Sequence, residues 1–202
     1  MPDSGSAFES LIAPVLSTLK IHPTAAQIQQ LAAHYDLLLR WNRRINLSGI
    51  RGPQEIVERH FGESLFLAAA IPDSAASLVD VGSGAGFPGV PVAVMRPDCQ
   101  ITLVESVGKK ATFLREVTRD YANVKVLQSR AEELNSQFDW VTMRAVEPVT
   151  ILPILLGLAP NLALLVGGET VRDLRNTSAA TWQDPKSLPR SRQRYLLLGR
   201  SG

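Results

Sequence analysis

Four glycines fall within eight residues of the segment LVDVGSGAGFPG (78–89), a density that suits close contact between backbone and ligand. Glycine has no Cβ and tolerates positive φ, so the N–H groups of such a turn can approach a bound molecule. The apolar run SLVDV (77–81) precedes the turn and predicts a buried strand. The segment therefore predicts a strand followed by a binding turn for a pyrophosphate, a phosphate or a methyl-donor cofactor.

The register of the turn separates these ligands. The dinucleotide fingerprint G-x-G-x-x-G is satisfied from Gly84, but its first glycine should follow the strand directly. Counted from Gly82, which does follow the strand, the third fingerprint position is Phe87. No G-K-[ST] ends the turn, which excludes a P-loop. The pattern that fits is typical of S-adenosylmethionine turns, an acid, one residue and G-x-G-x-G: Asp80, Gly82, Gly84 and Gly86. A dinucleotide site and a tight turn without a ligand remain as alternatives.

Other polar residues follow further predicted strands, for which the apolar runs lie at 100–106, 124–130, 138–144, 162–168 and 192–200. Helical stretches between these runs imply βαβ units and a parallel sheet buried on both faces. Ligands bind such sheets at the carboxyl ends of the strands. The residues expected there are Glu105, Arg130 to Glu132 and Arg144 to Glu147. An acid such as Glu105 can hold ribose hydroxyls of either NAD or S-adenosylmethionine, so it does not discriminate.

The chain before the sheet reads as helices, predicted over 6–20, 24–38 and 51–70. Thr24 opens the second helix with a capping box, and Pro53 suits the first turn of the third. We therefore predict an N-terminal helical cap over 1–70, a linker at 71–77, and a sheet domain within 71–202. Residues 151–168 should form a helix, a turn and a buried strand, and 169–190 should be short and irregular. His22 and His34 are expected at the surface.

Composition favours a globular protein, with 45% hydrophobic and 20% charged residues. One cysteine, Cys99, excludes a disulfide framework within the chain, and no Cys/His cluster has metal-ligand spacing. The acidic start lacks the basic region of a signal peptide, so we expect a cytoplasmic protein that does not enter the membrane. Two segments, 37–54 and 185–202, hold nine of the 21 basic residues and no acid. This segregation suggests a polyanionic partner, the alternative being two solvated surface strips.

The sequence also limits the methyl acceptor. The segment TMRAVEP (142–148) lacks the Asn/Asp-Pro-Pro-aromatic motif that is common in enzymes that methylate exocyclic amino groups. Pyrimidine C5 methylation needs a cysteine nucleophile, but Cys99 precedes the second strand, on the wrong side of the sheet. A ring nitrogen such as guanine N7 has a free lone pair and needs no general base, so alignment with the donor suffices. Such an acceptor is allowed by the sequence.

The chain resembles the bacterial small-subunit ribosomal RNA guanine-N7 methyltransferases, also called glucose-inhibited division protein B. The combination of W-N-x-x-x-N-L with G-x-G-x-G-[LF]-P-G is specific to this family. The resemblance implies a Rossmann-like, S-adenosylmethionine-dependent α/β fold and methylation of a guanosine in the decoding-region hairpin of 16S ribosomal RNA. The matching segments are 41–50, 58–65, 80–98, 103–117, 129–134 and 138–145.

The resemblance also implies roles for individual residues. The cofactor residues would be Gly82, Phe87, Ala131, Glu132 and Arg144, with Phe87 as an apolar wall and Ala131 and Glu132 at the adenine edge. Arg144 would pair with the methionine carboxylate or steady the RNA, and it would position the reactants together with Asn46. The RNA-binding residues would be Asn46, His60, Lys109, Arg130 and Arg194.

Some features depart from the family pattern. A Pro-Gly-Gly-type turn usually precedes the fifth strand, where this chain has GLAPNLALL (157–165), and the segment 167–190 diverges. We expect a monomer that acts on 16S ribosomal RNA within a small-subunit particle. Two alternatives remain: an NAD(P)-dependent oxidoreductase and a non-catalytic RNA-binding protein with a decayed cofactor pocket.

Overall fold

A computed structural model describes residues 4–144 and 148–202. Within these ranges no helix is long and apolar enough to cross a membrane. The helices are α1 (Ser4–Leu19), α2 (Ala25–Asn42), α3 (Pro53–Ile56), α4 (Glu63–Ala70), α5 (Gly89–Met95), α6 (Gly108–Val117), α7 (Pro148–Leu158) and α8 (Gly168–Arg175). The strands are β1 (Ser77–Val81), β2 (Gln100–Val104), β3 (Val124–Leu127), β4 (Trp140–Arg144), β5 (Asn161–Gly167), β6 (Ala180–Trp182), β7 (Lys186–Ser187) and β8 (Arg194–Ser201).

The strands form one mixed sheet in the order β3-β2-β1-β4-β5-β8-β6, with β7 also paired to β8. Strands β1 to β5 are parallel, and β8 is antiparallel to β5. The predicted α/β class is confirmed. Because β1 lies between β2 and β4, the strand order reverses there, which is where open sheets of this type bind ligands.

Two apolar cores cover the two faces of the sheet. One joins the N-terminal helices to α5, α6 and one sheet face, as in the cluster that holds Phe8, Leu31, Phe61 and Leu103. The other lies under α7 and α8. The predicted linker falls between α4 and β1, but the helices before it share a core with the sheet after it. We therefore describe the cap as a layer built onto one face of the sheet.

The N-terminal helices follow their predicted signals, with one local difference. Thr24 Oγ1 accepts a hydrogen bond from the N–H of Gln27, and the Gln27 side chain accepts from the N–H of Thr24, so the capping box is confirmed. The helix predicted over 51–70 instead contains a π-helical segment, Val57–Gly62, between α3 and α4. Within it the carbonyl of His60 accepts from the Ser64 hydroxyl at 2.6 Å. Such segments are frequent at functional sites.

The prediction that 169–190 is irregular is wrong. The segment contains most of α8, with Val171 and Leu174 buried, and the short strands β6 and β7. A Cβ on Gly199 of β8 would lie 2.4 Å from the Trp182 ring, so the close packing of β6 requires glycine there. Strands this short are held by pairing with β8, and local sequence pattern does not reveal that pairing.

Candidate active site

The glycine turn lies at the carboxyl end of β1 and has three residues with positive φ. The φ angles are +71° at Gly82, +57° at Gly84 and +85° at Gly86. The N–H groups of Gly82 and Ser83 donate to the Val104 carbonyl at 2.9 and 3.0 Å, which ties the turn to the end of β2. A side chain is disfavoured at each of the three positive-φ positions, so the pattern predicted from sequence has a conformational cause.

Asp80 fixes the far end of the glycine turn through a hydrogen bond to Gly89. Its carboxylate is fully buried, and Oδ2 accepts a hydrogen bond from the N–H of Gly89 at 3.0 Å. A Cβ on Gly89 would lie 2.6 Å from that oxygen and 2.3 Å from Leu103, so only glycine allows this approach. Burial raises the pKa of Asp80 to about 7, although the Gly89 hydrogen bond opposes the shift. The acid of the motif thus holds the start of α5 against β1.

Replacing Asp80 by asparagine is expected to change how stability depends on pH. The carboxyl has a pKa of about 7 when folded and 3.8 as a free group, so the folded state retains the proton in between. The wild-type protein therefore loses stability as pH rises from about 4 to about 7. The Asp80→Asn variant lacks this titrating carboxyl, so it does not share that loss. The free energy of unfolding of the variant minus that of the wild type should rise by up to about 4 kcal/mol across this window.

Urea denaturation at several pH values between 4 and 8 measures this difference. Asp73→Asn is the matched control, because the Asp73 side chain is fully exposed and its substitution removes no buried carboxyl. A difference for Asp80→Asn that stays constant with pH would contradict the prediction.

Glu105 joins the glycine turn to the loop after β2. Its Oε2 accepts from the N–H of Gly84 at 2.9 Å, and its Oε1 accepts from the N–H of Val107 at 2.8 Å. The side chain is buried at the carboxyl edge, next to the position where the ribose of either cofactor was expected. The structure thus shows Glu105 positioning Gly84, and the ribose contact stays a prediction.

His34 on α2 supports the other side of the turn, and its predicted surface position is wrong. The residue is fully buried, and Nε2 lies 2.8 Å from the Ala85 carbonyl. Burial lowers the pKa of His34 to about 4, so the ring is neutral at pH 7 and Nε2–H donates to Ala85. A Cβ on Gly86 would lie 3.3 Å from this ring, so Gly86 allows close packing of α2. The contact between Gly86 and the cofactor stays a prediction, and only the backbone of this residue could make it.

Phe87 is packed on both ring faces. It stacks on His34 at a centroid distance of 4.6 Å and on His60 at 4.6 Å, and its ring edge meets Phe61. The side chain is part of the core shared by the cap and the sheet. Neither ring face is open to a ligand, so the ring supports the turn from within the core, and the predicted contact of Phe87 with the cofactor stays a prediction.

His60 links the cap to the end of β4. Arg144 Nη1 donates to His60 Nδ1 at 2.8 Å, so the ring proton is on Nε2, which donates to Ser48 Oγ at 2.7 Å. Burial, helped by the charge of Arg144, lowers the pKa of His60 to about 2. Only 8% of the residue is exposed. The expected RNA contact by His60 is therefore corrected to a positioning role between the loop 43–52 and Arg144.

The loop that contains Asn46 is held by Asn42. The Asn42 amide oxygen accepts from the N–H groups of Leu47 and Ser48 at 2.9 and 3.0 Å, and its nitrogen donates to the Ser48 carbonyl at 3.1 Å. Asn46 itself is exposed. In the W-N-x-x-x-N-L pattern the first asparagine therefore shapes the loop, a role that the sequence analysis did not assign, and the second is presented to solvent.

Glu63 on α4 brings two arginines together. Its Oε1 lies 2.8 Å from Arg194 Nη1, and its Oε2 lies 3.7 Å from Arg144 Nη2. Arg194 reaches this edge because antiparallel β8 begins opposite Gly167, where β5 ends. Burial lowers the pKa of Arg144 to about 10, so its guanidinium remains charged at neutral pH. Two cations against one carboxylate leave excess positive charge suited to an anionic group.

The other predicted residues lie at the same edge with exposed or half-exposed side chains. Ala131 and Glu132 lie on a 3-10 turn, Ala131–Glu133, after β3. Glu133 fixes this turn by accepting from Ser129 Oγ at 2.7 Å and from the N–H of Arg130 at 3.0 Å. Arg130 is exposed, as is Lys109 in the first turn of α6.

The predicted positions 145–147 lie outside the described residues. In the described ranges no group of three His, Cys, Asp or Glu residues has metal-binding geometry.

Sequence comparison identifies relatives for most of the chain. Residues 27–157 match the family model described as GidB, rRNA small subunit methyltransferase G. A "Ribosomal RNA small subunit methyltransferase G" of Roseiflexus sp. (strain RS-1) is 46% identical over 134 residues, 62% of this chain and 57% of that protein. A protein of the same name from Halorhodospira halophila is 41% identical and covers 78% of each chain. The chain thus spans little more than half the length of some of the curated relatives that it matches.

Solved structures are similar in fold at low sequence identity. A magnesium protoporphyrin IX methyltransferase from Synechocystis PCC 6803 has a TM-score of 0.59 at 14% identity and covers 82% of this chain and 94% of its own. A SAM-dependent methyltransferase from Aquifex aeolicus has a TM-score of 0.58 at 15% identity, covering 73% and 93%. The Rossmann-like methyltransferase fold expected from the sequence is confirmed.

Proposed function

The chain belongs to the rRNA small subunit methyltransferase G family, and on this basis we propose that it transfers a methyl group from S-adenosylmethionine to a guanosine N7 in 16S ribosomal RNA. We place that guanosine in the decoding-region hairpin, as the family resemblance implies. The observation that carries the proposal is the glycine turn at the switch point of the sheet, with positive φ at all three G-x-G-x-G positions.

The residues present fit the cofactor. A Cβ on Gly84 would meet only the Gly82 carbonyl, at 3.8 Å, so the outer side of the turn is bare backbone that a ligand can approach. Gly82, Gly84 and Glu105 would hold one side of S-adenosylmethionine, and Ala131 and Glu132 would contact its adenine. Arg144 and Arg194 together carry one more charge than Glu63 neutralises, so Arg144 would bind the methionine carboxylate. When bound, the cofactor supplies an electrophilic methyl group on a sulfonium.

Catalysis by this chain is proposed to rest on positioning. Guanine N7 carries no proton, so the acceptor needs alignment and exclusion of water. His60, the imidazole that contacts Arg144, is not suited to act as a general base. Its Nδ1 already accepts a hydrogen bond from Arg144, and its pKa is strongly lowered. We propose that Asn46 and Arg144 orient the guanosine. Ser48, in the same loop as Asn46, is hydrogen-bonded to His60, which is hydrogen-bonded to Arg144.

The RNA is proposed to lie across the same edge. Lys109 and Arg130 are exposed cations after β2 and β3, and Arg194 lies further along the sheet, at the start of β8, in contact with Glu63. Phosphate contacts of this kind fix the register of a nucleic acid. We propose a monomer that acts in the cytoplasm on a small-subunit particle.

The test is a transfer reaction with labelled S-adenosylmethionine and small subunits from a strain that lacks this methylation. Mass spectrometry of the ribosomal RNA should locate the label on one guanosine, at N7. Calorimetry with S-adenosylmethionine and NADH separates the alternatives. Tight NADH binding without S-adenosylmethionine binding would favour an oxidoreductase, and RNA binding without any labelled guanosine would favour a non-catalytic protein.

A further inference from the structure

A basic groove of about 560 Å³ lies between the carboxyl end of α2 and helix α6. We call it the α2 groove and define it by Arg40, Trp41, Arg43, Arg44 and Glu116. It is formed by one of the two basic segments noted in the sequence, and none of the residues assigned to the cofactor or the acceptor lines it.

The arginines of the α2 groove are free of acidic partners. Arg40, Arg43 and Arg44 are exposed, and within the described part of the chain none of them forms an ion pair. Glu116 is the one acid among the described lining residues, and its Oε2 accepts a hydrogen bond from the Trp41 indole at 3.0 Å. The groove therefore presents a net positive charge to solvent, and it suits an anionic partner.

The wall of the groove is fixed in place. The Trp41 ring meets Phe113 edge-on at 5.7 Å, and its hydrogen bond to Glu116 ties α2 to α6. The arginines thus extend from a braced helix end, which lowers the entropic cost of ordering them around a ligand. Guanidinium groups match phosphate oxygens in bidentate geometry.

The α2 groove is linked to the candidate site through the loop that follows α2. Arg43 and Arg44 come two or three residues before Asn46, in a loop that Asn42 holds through Leu47 and Ser48. Ser48 contacts His60, which contacts Arg144. An RNA strand that presents a base to Arg144 and Asn46 would therefore extend its backbone towards these arginines.

We propose that the α2 groove binds phosphate groups of the RNA strand next to the methylated guanosine. This inference rests on the proposed function, since it takes the RNA substrate as its ligand. In this inference Arg40, Arg43 and Arg44 bind the RNA backbone, whereas other residues hold the base and the cofactor.

The test measures binding of 16S ribosomal RNA by the full chain over a range of salt concentrations. Each phosphate contact contributes about 0.7 to 0.9 to the slope of log K against log salt. The double variant Arg43→Ala/Arg44→Ala should therefore make this negative slope shallower by about 1.5. It should also weaken RNA binding about ten-fold or more at moderate salt. Calorimetric affinity for S-adenosylmethionine should stay unchanged. Arg172→Ala is the control, because Arg172 is an exposed arginine on α8, which covers the opposite sheet face.

The outcomes separate this inference from the proposed function. An unchanged slope and affinity in a double variant that still binds S-adenosylmethionine would overturn the inference while the function stands. Loss of binding to the small subunit with full binding to naked RNA would also overturn it, because the groove would then contact a ribosomal protein. A reduced slope in a chain that methylates no guanosine would support the groove and reject the function.

Discussion

Gly82→Val is expected to reduce the affinity for S-adenosylmethionine more than 100-fold and to leave the sheet folded. Gly82 has a φ of +71°, which a β-branched residue avoids. Its N–H also closes the turn on the Val104 carbonyl, so a shift of this residue moves the bare backbone at Gly84. A 100-fold loss corresponds to about 2.7 kcal/mol of binding free energy, within reach of one displaced turn.

Isothermal titration with S-adenosylmethionine measures the effect, and circular dichroism checks the fold. Gly157→Val is the matched control, because Gly157 is exposed on α7 and a Cβ there meets no atom within 4 Å. Gly82→Ala is the milder variant for use if valine prevents folding, with an expected loss of about ten-fold from the positive φ alone. Wild-type affinity in a folded Gly82→Val would mean that the cofactor binds elsewhere.

The glycine turn could be predicted because its causes are local. A strand, an acid and three alternate glycines specify a backbone path within ten residues, so Asp80 to Gly89 can be read without knowing the rest of the chain. The sheet was predictable for a similar reason, since short apolar runs separated by helices leave few arrangements. The antiparallel β8 and its short partners were harder, because the two-residue strand β7 is held only by long-range pairing.

The supporting residues could not be identified because their roles depend on which helix packs against the turn. Phe87 was assigned to the ligand from its place in the motif, whereas its position between His34 and His60 follows from the docking of two cap helices. His34 did carry a signal. It shares a helix face with Leu31 and Leu38, both fully buried, so helical spacing alone indicated burial.

Glu63→Gln is expected to lower the free energy of unfolding by about 3 kcal/mol, the usual cost of breaking a buried ion pair. The Glu63 side chain is 2% exposed and holds the guanidiniums of Arg144 and Arg194, which come from different strands. Burial raises the pKa of Glu63, and the charges of Arg144 and Arg194 oppose this shift, so the charged form of Glu63 depends on these two partners. Glutamine keeps the shape but removes the carboxylate that both largely buried guanidiniums face.

Urea denaturation at neutral pH measures the loss, and Glu55→Gln supplies the comparison. Glu55 pairs with Arg59 at 2.9 Å, but the two side chains are 51% and 44% exposed. An exposed pair contributes at most about 1 kcal/mol, so the same substitution there should have a small effect. Equal effects of the two substitutions would mean that Glu63 is no more important to stability than a surface carboxylate. A three-fold larger effect at Glu63 would show that this carboxylate holds the end of β4 and the start of β8 at the candidate active site.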